Sequence, residues 1–113
     1  MSNMAEDLLE KKNHVILLMD CYVKLLTDKQ TDYLESYYYE DLSISEIAEI
    51  YDVSRNAVFD QIKRATKLLE DYEEKLHLLE KHQQRMALIE VIEKEENKSH
   101  ADLLKYVKKI KEL

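Results

Sequence analysis

The sequence predicts an all-α fold. Its 113 residues contain no Gly and no Pro. Tight hairpin turns between strands usually need these residues, whereas long helices are interrupted by them, so their absence favours helices. Apolar side chains also recur at spacings of three and four, as they do on one face of an amphipathic helix. A chain of this length is expected to form one domain with a modest core. We place that domain at residues 1–82 and a C-terminal helical extension at residues 83–113.

The first helix is predicted from about Ala5 to Leu26. Its inward stripe follows helical spacing and consists of Val15, Leu18, Met19, Tyr22, Leu25 and Leu26. Cys21 is the only cysteine, so neither a disulfide framework nor a thiolate metal cluster is expected. On such a helix a lone Cys is typically a small buried hydrophobe.

The second helix is predicted to begin after Thr27. Thr27 and Gln30 have the spacing of a capping box, in which each side chain satisfies the other residue's backbone N–H. Tyrosines at 33, 37, 38 and 39 resemble a base-stacking platform. Seven acidic residues surround them and would repel phosphate: Asp28, Asp32, Glu35, Glu40, Asp41, Glu46 and Glu49. We therefore interpret these tyrosines as core and rim packing.

Two further helices follow across a short break. Ser43 and Glu46 form a second capping-box pattern, and the apolar face that follows is Ile44, Ile47, Ala48 and Tyr51. Asp52-Val53-Ser54 breaks this periodicity. Asp52 is expected to adopt the left-handed conformation that Gly usually takes, at a cost of about 1 kcal/mol. Ser54 can then cap a helix whose inward residues are Val58, Ile62, Ala65 and Leu69. This pattern predicts a helix-turn-helix.

The outward face of its second helix is the candidate nucleic-acid surface, because donors near the start of a recognition helix contact base edges. The predicted contact residues are Ser54, Arg55, Asn56, Phe59, Lys63, Arg64 and Lys67. Residues 54–69 carry four basic side chains against Asp60, a charge of +3, whereas the whole chain carries −7. Such a chain is expected to repel polyanions elsewhere, which disfavours tight non-specific binding.

The apolar spacing continues past Leu69 as a heptad seam and predicts one helix from Arg55 to about His82. The seam residues Leu69, Tyr72, Leu76 and Leu79 are the candidate protein interface. Two more helices are expected, one with Met86, Leu88, Ile89, Val91 and Ile92 and one with Leu103, Leu104, Val107 and Ile110. Glu95–Ser99 is the polar break between them, and Ser99 caps the last helix. Whether this extension folds back over the seam or a second copy covers it in a homodimer stays open.

Catalysis, cofactors and membranes find no support in the sequence. Without Gly there is no phosphate-cradling loop, dinucleotide fingerprint or strained nucleophile turn. The four histidines, at 14, 77, 82 and 100, lack the spacing of a helical metal site. We therefore expect no enzyme, no cofactor and no metal. The longest apolar run, Val15–Met19, is far shorter than the ~20 residues that span a bilayer, and no export leader opens the chain. A soluble, cytoplasmic protein without membrane insertion is expected.

Several motifs in order resemble the YlxM family of small helix-turn-helix proteins. They are Leu25–Gln30, Tyr37-Tyr38, Ser45–Ala48 and Val53–Arg64, within a region from about Leu17 to Leu79. The resemblance implies a core similar to the DNA-reading region four of sigma factors and no cofactor. It also implies a regulatory role in the signal recognition particle pathway, with the particle's GTPase or its RNA as partner. This role is inferred from the position of the family's gene beside that of the GTPase.

This sequence departs from the family pattern at three positions. Asn56 stands where Gln is common, Phe59 where Tyr is common and Gln61 where Asn is common. Asn56 keeps an amide donor and acceptor with a shorter reach, whereas Phe59 lacks a hydroxyl that could touch phosphate. Two alternatives to the accessory role stay open: a DNA-binding transcriptional regulator, and an interaction module without nucleic-acid binding.

Overall fold

The structure is a computed structural model that describes residues 4–94 and 99–113. Within these ranges the regular elements are all helical, which confirms the predicted fold class. They are α1 (Met4–Tyr22), a 3₁₀ turn (Val23–Leu25), α2 (Asp28–Tyr38), α3 (Ile44–Tyr51), α4 (Arg55–Leu76), α5 (Leu78–Lys94) and α6 (His100–Lys111). The chain divides into two compact units, Met1–Leu76 and His77–Leu113.

The core of the first unit lies around α4, which packs against α1, α2 and α3. Its buried apolar side chains are Val15, Leu18, Met19 and Tyr22 from α1, Tyr33 and Leu34 from α2, Ile47 and Ala48 from α3, and Val58, Ile62, Ala65 and Leu69 from α4. The predicted inward stripe is wrong at Leu25, which is 56% exposed. The α-helix ends at Tyr22, and the following 3₁₀ turn changes the periodicity and rotates Leu25 outward.

Both predicted capping boxes are formed. The Thr27 hydroxyl accepts from the Gln30 backbone N–H at 3.2 Å, and the Gln30 side-chain oxygen accepts from the Thr27 N–H at 3.2 Å. Ser43 and Glu46 make the same two bonds at 3.1 Å each. These reciprocal bonds satisfy N–H groups that a helix start leaves without partners, and so fix where α2 and α3 begin.

The turn between α3 and α4 is a Schellman motif with Asp at the position that Gly usually occupies. Asp52 has φ 54° and ψ 51°, which is left-handed as expected. The Asp52 N–H donates to the Glu49 carbonyl at 3.4 Å, and the Val53 N–H donates to the Ala48 carbonyl at 3.0 Å. Those bonds satisfy the last carbonyls of α3 and turn the chain sharply into α4. The predicted helix-turn-helix is therefore present.

The prediction of one helix from Arg55 to about His82 is wrong. α4 ends at Leu76, and His77 is left-handed with φ 56°. The His77 carbonyl then accepts from the Lys81 N–H at 2.9 Å and starts α5. His tolerates this conformation better than most residues. The heptad spacing of the apolar residues continues unchanged past His77, so it gives no sign that the helix ends there.

The second unit is built on α5 and α6, which pack against each other. The Ser99 hydroxyl accepts from the Asp102 N–H at 3.2 Å and caps α6 as predicted. The rest of the predicted polar break, residues 95–98, lies outside the described residues. A groove of about 510 Å³ runs between the helices, with Ala87, Leu88, Val91 and Leu113 in its walls.

Candidate nucleic-acid interface

The outward face of α4 carries the predicted contact residues. Ser54, Arg55, Asn56, Phe59, Lys63, Arg64 and Lys67 are all exposed. Asn56, Phe59, Lys63 and Lys67 follow at spacings of three and four, so they form one stripe along the helix. Phe59 is a large apolar side chain in this stripe, and it is 51% exposed. We call Arg55, Lys63, Arg64 and Lys67, together with Asn56 and Phe59 between them, the basic strip.

The start of the basic strip is held by local bonds. The Ser54 hydroxyl accepts from the Ala57 N–H at 3.1 Å, and the Ser54 carbonyl accepts from the Val58 N–H at 3.2 Å. Val58 is fully buried, so the first turn of α4 is tied to the core on its inner side. Arg55 and Asn56 therefore project from a fixed backbone at the positive end of the helix dipole.

Most cations of the strip are available to a ligand. Lys67 Nζ lies 3.6 Å from an Asp71 carboxylate oxygen one turn later, and both side chains are well exposed, so the pair is weak in water. Among the described residues, Arg55, Lys63 and Arg64 take part in no salt bridge. Their charges can engage phosphate without first leaving a carboxylate.

The residues predicted as a protein interface do not form one open seam. Leu69 is fully buried in the core of the first unit. Tyr72 is half-buried, and the centroid of its ring lies 6.0 Å from the centroid of the Tyr22 ring. Leu76 is 47% exposed, whereas Leu79 lies on α5 and is 4% exposed. Leu76 is thus the member of this set with an open side chain, and an interface through the seam stays a prediction.

A groove beside the basic strip escaped the sequence-based reasoning. It has a volume of about 470 Å³ and is lined by Lys11, Tyr37, Tyr38, Ile44, Phe59, Ile62, Lys63, Thr66, Lys67 and Glu70. Tyr33 is buried as expected, but Tyr37 and Tyr38 are half-buried in the groove wall. Two of the acidic neighbours predicted from the sequence, Asp41 and Glu46, line an adjoining cavity with Tyr37, whereas three lysines from α1 and α4 converge in this groove. The pairing of Lys11 with α4 depends on helix packing, and no local pattern records it.

Burial also raises the pKa of side chains in the first unit. Burial raises the pKa of the Tyr38 hydroxyl above its ordinary value. Burial, then the Glu73 and Asp20 carboxylates, raise the pKa of the Cys21 thiol. In residues 4–94 and 99–113, no three His, Cys, Asp or Glu side chains converge as metal ligands would. None of the described helices is both long and apolar enough to traverse a bilayer.

Comparison with known proteins gives the family. Residues 9–111 match a family described as "Putative helix-turn-helix protein, YlxM / p13 like". The chain belongs to this family. A UPF0122 protein of Oceanobacillus iheyensis is 44% identical over 106 residues, which are 94% of this chain and 99% of that protein. UPF0122 proteins of Bacillus cereus strain AH187 and Bacillus anthracis strain A0248 are each 54% identical over 82 residues, covering 73% of this chain and 74% of theirs. The YlxM resemblance found in the motifs is thereby confirmed.

Proposed function

We propose that this YlxM/p13-like protein is a regulatory accessory protein of the signal recognition particle pathway. In this proposal, the basic strip on α4 contacts the particle's RNA. The family resemblance supports the pathway. The observation that carries the contact is the exposed basic strip, in which Arg55, Lys63 and Arg64 take part in no salt bridge among the described residues, on a helix that three other helices pack against.

Charge patterning supports a phosphate-bearing target for this surface. The segment before the strip, residues 27–53, carries Lys29 against eight acidic residues, a charge of −7, and residues 54–69 carry +3. A polyanion is therefore attracted to α4 and repelled by the segment before it. These charges orient the polyanion as it approaches the protein more than they raise its binding affinity. A protein of this net charge needs the strip correctly placed before it binds at all.

A DNA-binding regulator is the second candidate, favoured by the geometry of the helix-turn-helix. The major groove of B-DNA admits an α-helix, and bases there are read by donors such as those of Arg55 and Asn56. The major groove of A-form RNA is too narrow for a helix. On RNA the strip would instead meet phosphates or unpaired bases of a loop.

A salt titration separates these functions. Wild-type protein is titrated against the particle's RNA, mixed-sequence duplex DNA and the particle's purified GTPase. Four phosphate contacts predict an affinity loss on the order of 100-fold on duplex DNA between 50 and 200 mM salt, and about 50-fold on single-stranded RNA. A double variant, Arg55→Ala with Lys63→Ala, should lose RNA binding, whereas Lys24→Ala, which removes an exposed cation outside the strip, should not.

Each result decides between the candidates. Preference for the particle's RNA, lost in the double variant, is the expected outcome. Salt-steep binding to one DNA sequence, with no binding to RNA or GTPase, would refute the accessory role and favour the regulator. Binding to the GTPase alone, unchanged in the double variant, would refute the role assigned to the basic strip.

A further inference from the structure

The groove between α1, α2 and the flank of α4 combines aromatic and cationic side chains. Phe59 contributes a half-exposed ring from α4, and Tyr37 and Tyr38 contribute rings from α2 whose centroids are 4.9 Å apart with nearly perpendicular planes. Lys11 from α1 and Lys63 from α4 also line it. Its volume of about 470 Å³ is in the range of small-molecule sites.

The charges of the groove favour an anion. Three lysines line it against one carboxylate, Glu70. In the described part of the chain, neither Lys11 nor Lys63 is in a salt bridge. A second cavity of about 360 Å³ shares Lys11 and the two tyrosines and adds Lys12, but Lys12 is paired with Asp41, so Lys11 is the unpaired cation that α1 supplies.

A polar contact is also present in the wall. The Thr66 hydroxyl oxygen is buried and has no hydrogen-bond partner among the described residues. The Thr66 side chain nevertheless lies within reach of the Tyr38 hydroxyl, where a hydrogen bond from it acts on the pKa of that phenol against the larger effect of burial. Buried polar atoms in proteins are seldom left without a partner, but this oxygen is closed to solvent, so a ligand in the groove would meet the aromatic and lysine side chains and not Thr66.

We propose that this groove binds an unpaired nucleotide of single-stranded RNA. The base stacks on Phe59 and the tyrosine wall, and the flanking phosphates pair with Lys11 and Lys63. Aromatic rings are the usual partners of splayed-out bases, and lysines along a groove follow the backbone. This inference rests on the proposed function and adds the form of RNA that the protein takes and a contact from α1, outside the helix-turn-helix.

The test uses the full chain and three fluorescein-labelled probes of one mixed sequence about 12 nucleotides long. These are a single-stranded RNA, the matching RNA duplex and the single-stranded DNA. Fluorescence anisotropy should show tighter binding to both single strands than to the duplex, because the proposed contacts are to base faces and phosphates. The chain has eight Tyr and no Trp, so quenching of tyrosine emission on addition of unlabelled RNA provides a second, label-free measurement of binding.

Variants then assign the groove. Phe59→Ala should weaken binding of the single strand roughly 5- to 150-fold and spare the duplex, whereas Phe59→Tyr, which keeps the ring, should restore it. Lys11→Gln should weaken binding to the single strand and lower its salt slope by about 0.7. Lys24→Gln is the matched control and should change neither. Circular dichroism confirms that each variant is folded.

Different results would refute the groove assignment and the proposed function. If Lys11→Gln binds like wild type while Arg64→Gln, which alters the strip outside the groove, weakens binding, the groove assignment fails and the proposed function stands. If Lys11→Gln weakens binding and Arg64→Gln does not, the basic strip fails instead. Duplex RNA bound as tightly as single-stranded RNA, or an equal loss for duplex and single strand in Phe59→Ala, would overturn the unpaired-nucleotide inference.

Discussion

Replacing Asp52 by Gly should stabilise the first unit. Asp52 is left-handed at φ 54°, a conformation that costs an L-residue about 1–2 kcal/mol and Gly nothing. Its carboxylate also lies at the negative end of the α3 dipole, which disfavours it by about 0.3–1 kcal/mol. Against these gains, Gly increases the entropy of the unfolded chain by about 0.4–1 kcal/mol. The net expectation is a gain of about 1 kcal/mol.

The measurement is thermal and urea unfolding followed by circular dichroism. For a unit of this size, about 1 kcal/mol corresponds to a rise in Tm of roughly 4–8 °C. Two matched variants separate the causes: Asp52→Asn removes the charge and keeps a side chain that tolerates the conformation, and Asp52→Ala removes the charge but keeps the Cβ clash. Stability should follow the order Gly, then Asn, then Ala. A Gly variant no more stable than the Ala variant would refute the assignment of strain to this turn.

Three further predictions concern the first unit. Burial and the Asp20 carboxylate raise the pKa of the Tyr39 phenol. The folded state therefore holds the phenol proton more tightly than the unfolded state does, and the resulting stabilisation is lost as pH rises through the folded pKa. Between about pH 8 and 11 the unfolding free energy should fall less in Tyr39→Phe than in wild type, and equal losses would contradict this. Because the pKa of the Cys21 thiol is raised by burial, its reaction with Ellman's reagent at about pH 8 should be slower in the folded protein than in urea; equal rates would argue against a protected thiol. Ser43→Ala removes the cap of α3 and should cost about 1 kcal/mol in urea unfolding, whereas the exposed Ser45→Ala should cost little; equal losses would deny the capping box its role.

Local chemistry accounts for the parts of the fold that the sequence predicted. The Thr27, Ser43 and Ser99 caps, the left-handed Asp52 and the buried face of α4 each depend on residues within a few positions of one another. The end of α4 at His77 could not be predicted, because the apolar spacing continues unchanged while one residue adopts a left-handed conformation.

The candidate site shows the same division. Exposure of the basic strip follows from helical periodicity alone, once Val58 and Ile62 are assigned inward. The groove depends instead on α1 and α2 lying beside α4, which brings Lys11 and Phe59 into one groove. The acidic residues counted along the chain do reach Tyr37, since Asp41 and Glu46 line a cavity with it, but the lysines that α1 and α4 bring to the other groove depend on helix packing and leave no sequence signal.

The left-handed residues also indicate that this chain is less stable than its fold would allow. Asp41, Asp52 and His77 have φ between 54° and 56° in a chain without Gly. Small backbone relaxations at separated sites usually add, so glycine at two or three of these helix ends should yield a more heat-resistant variant without altering the exposed face of α4. Natural proteins commonly retain such unused stability, because selection acts only on what falls below the level that function needs.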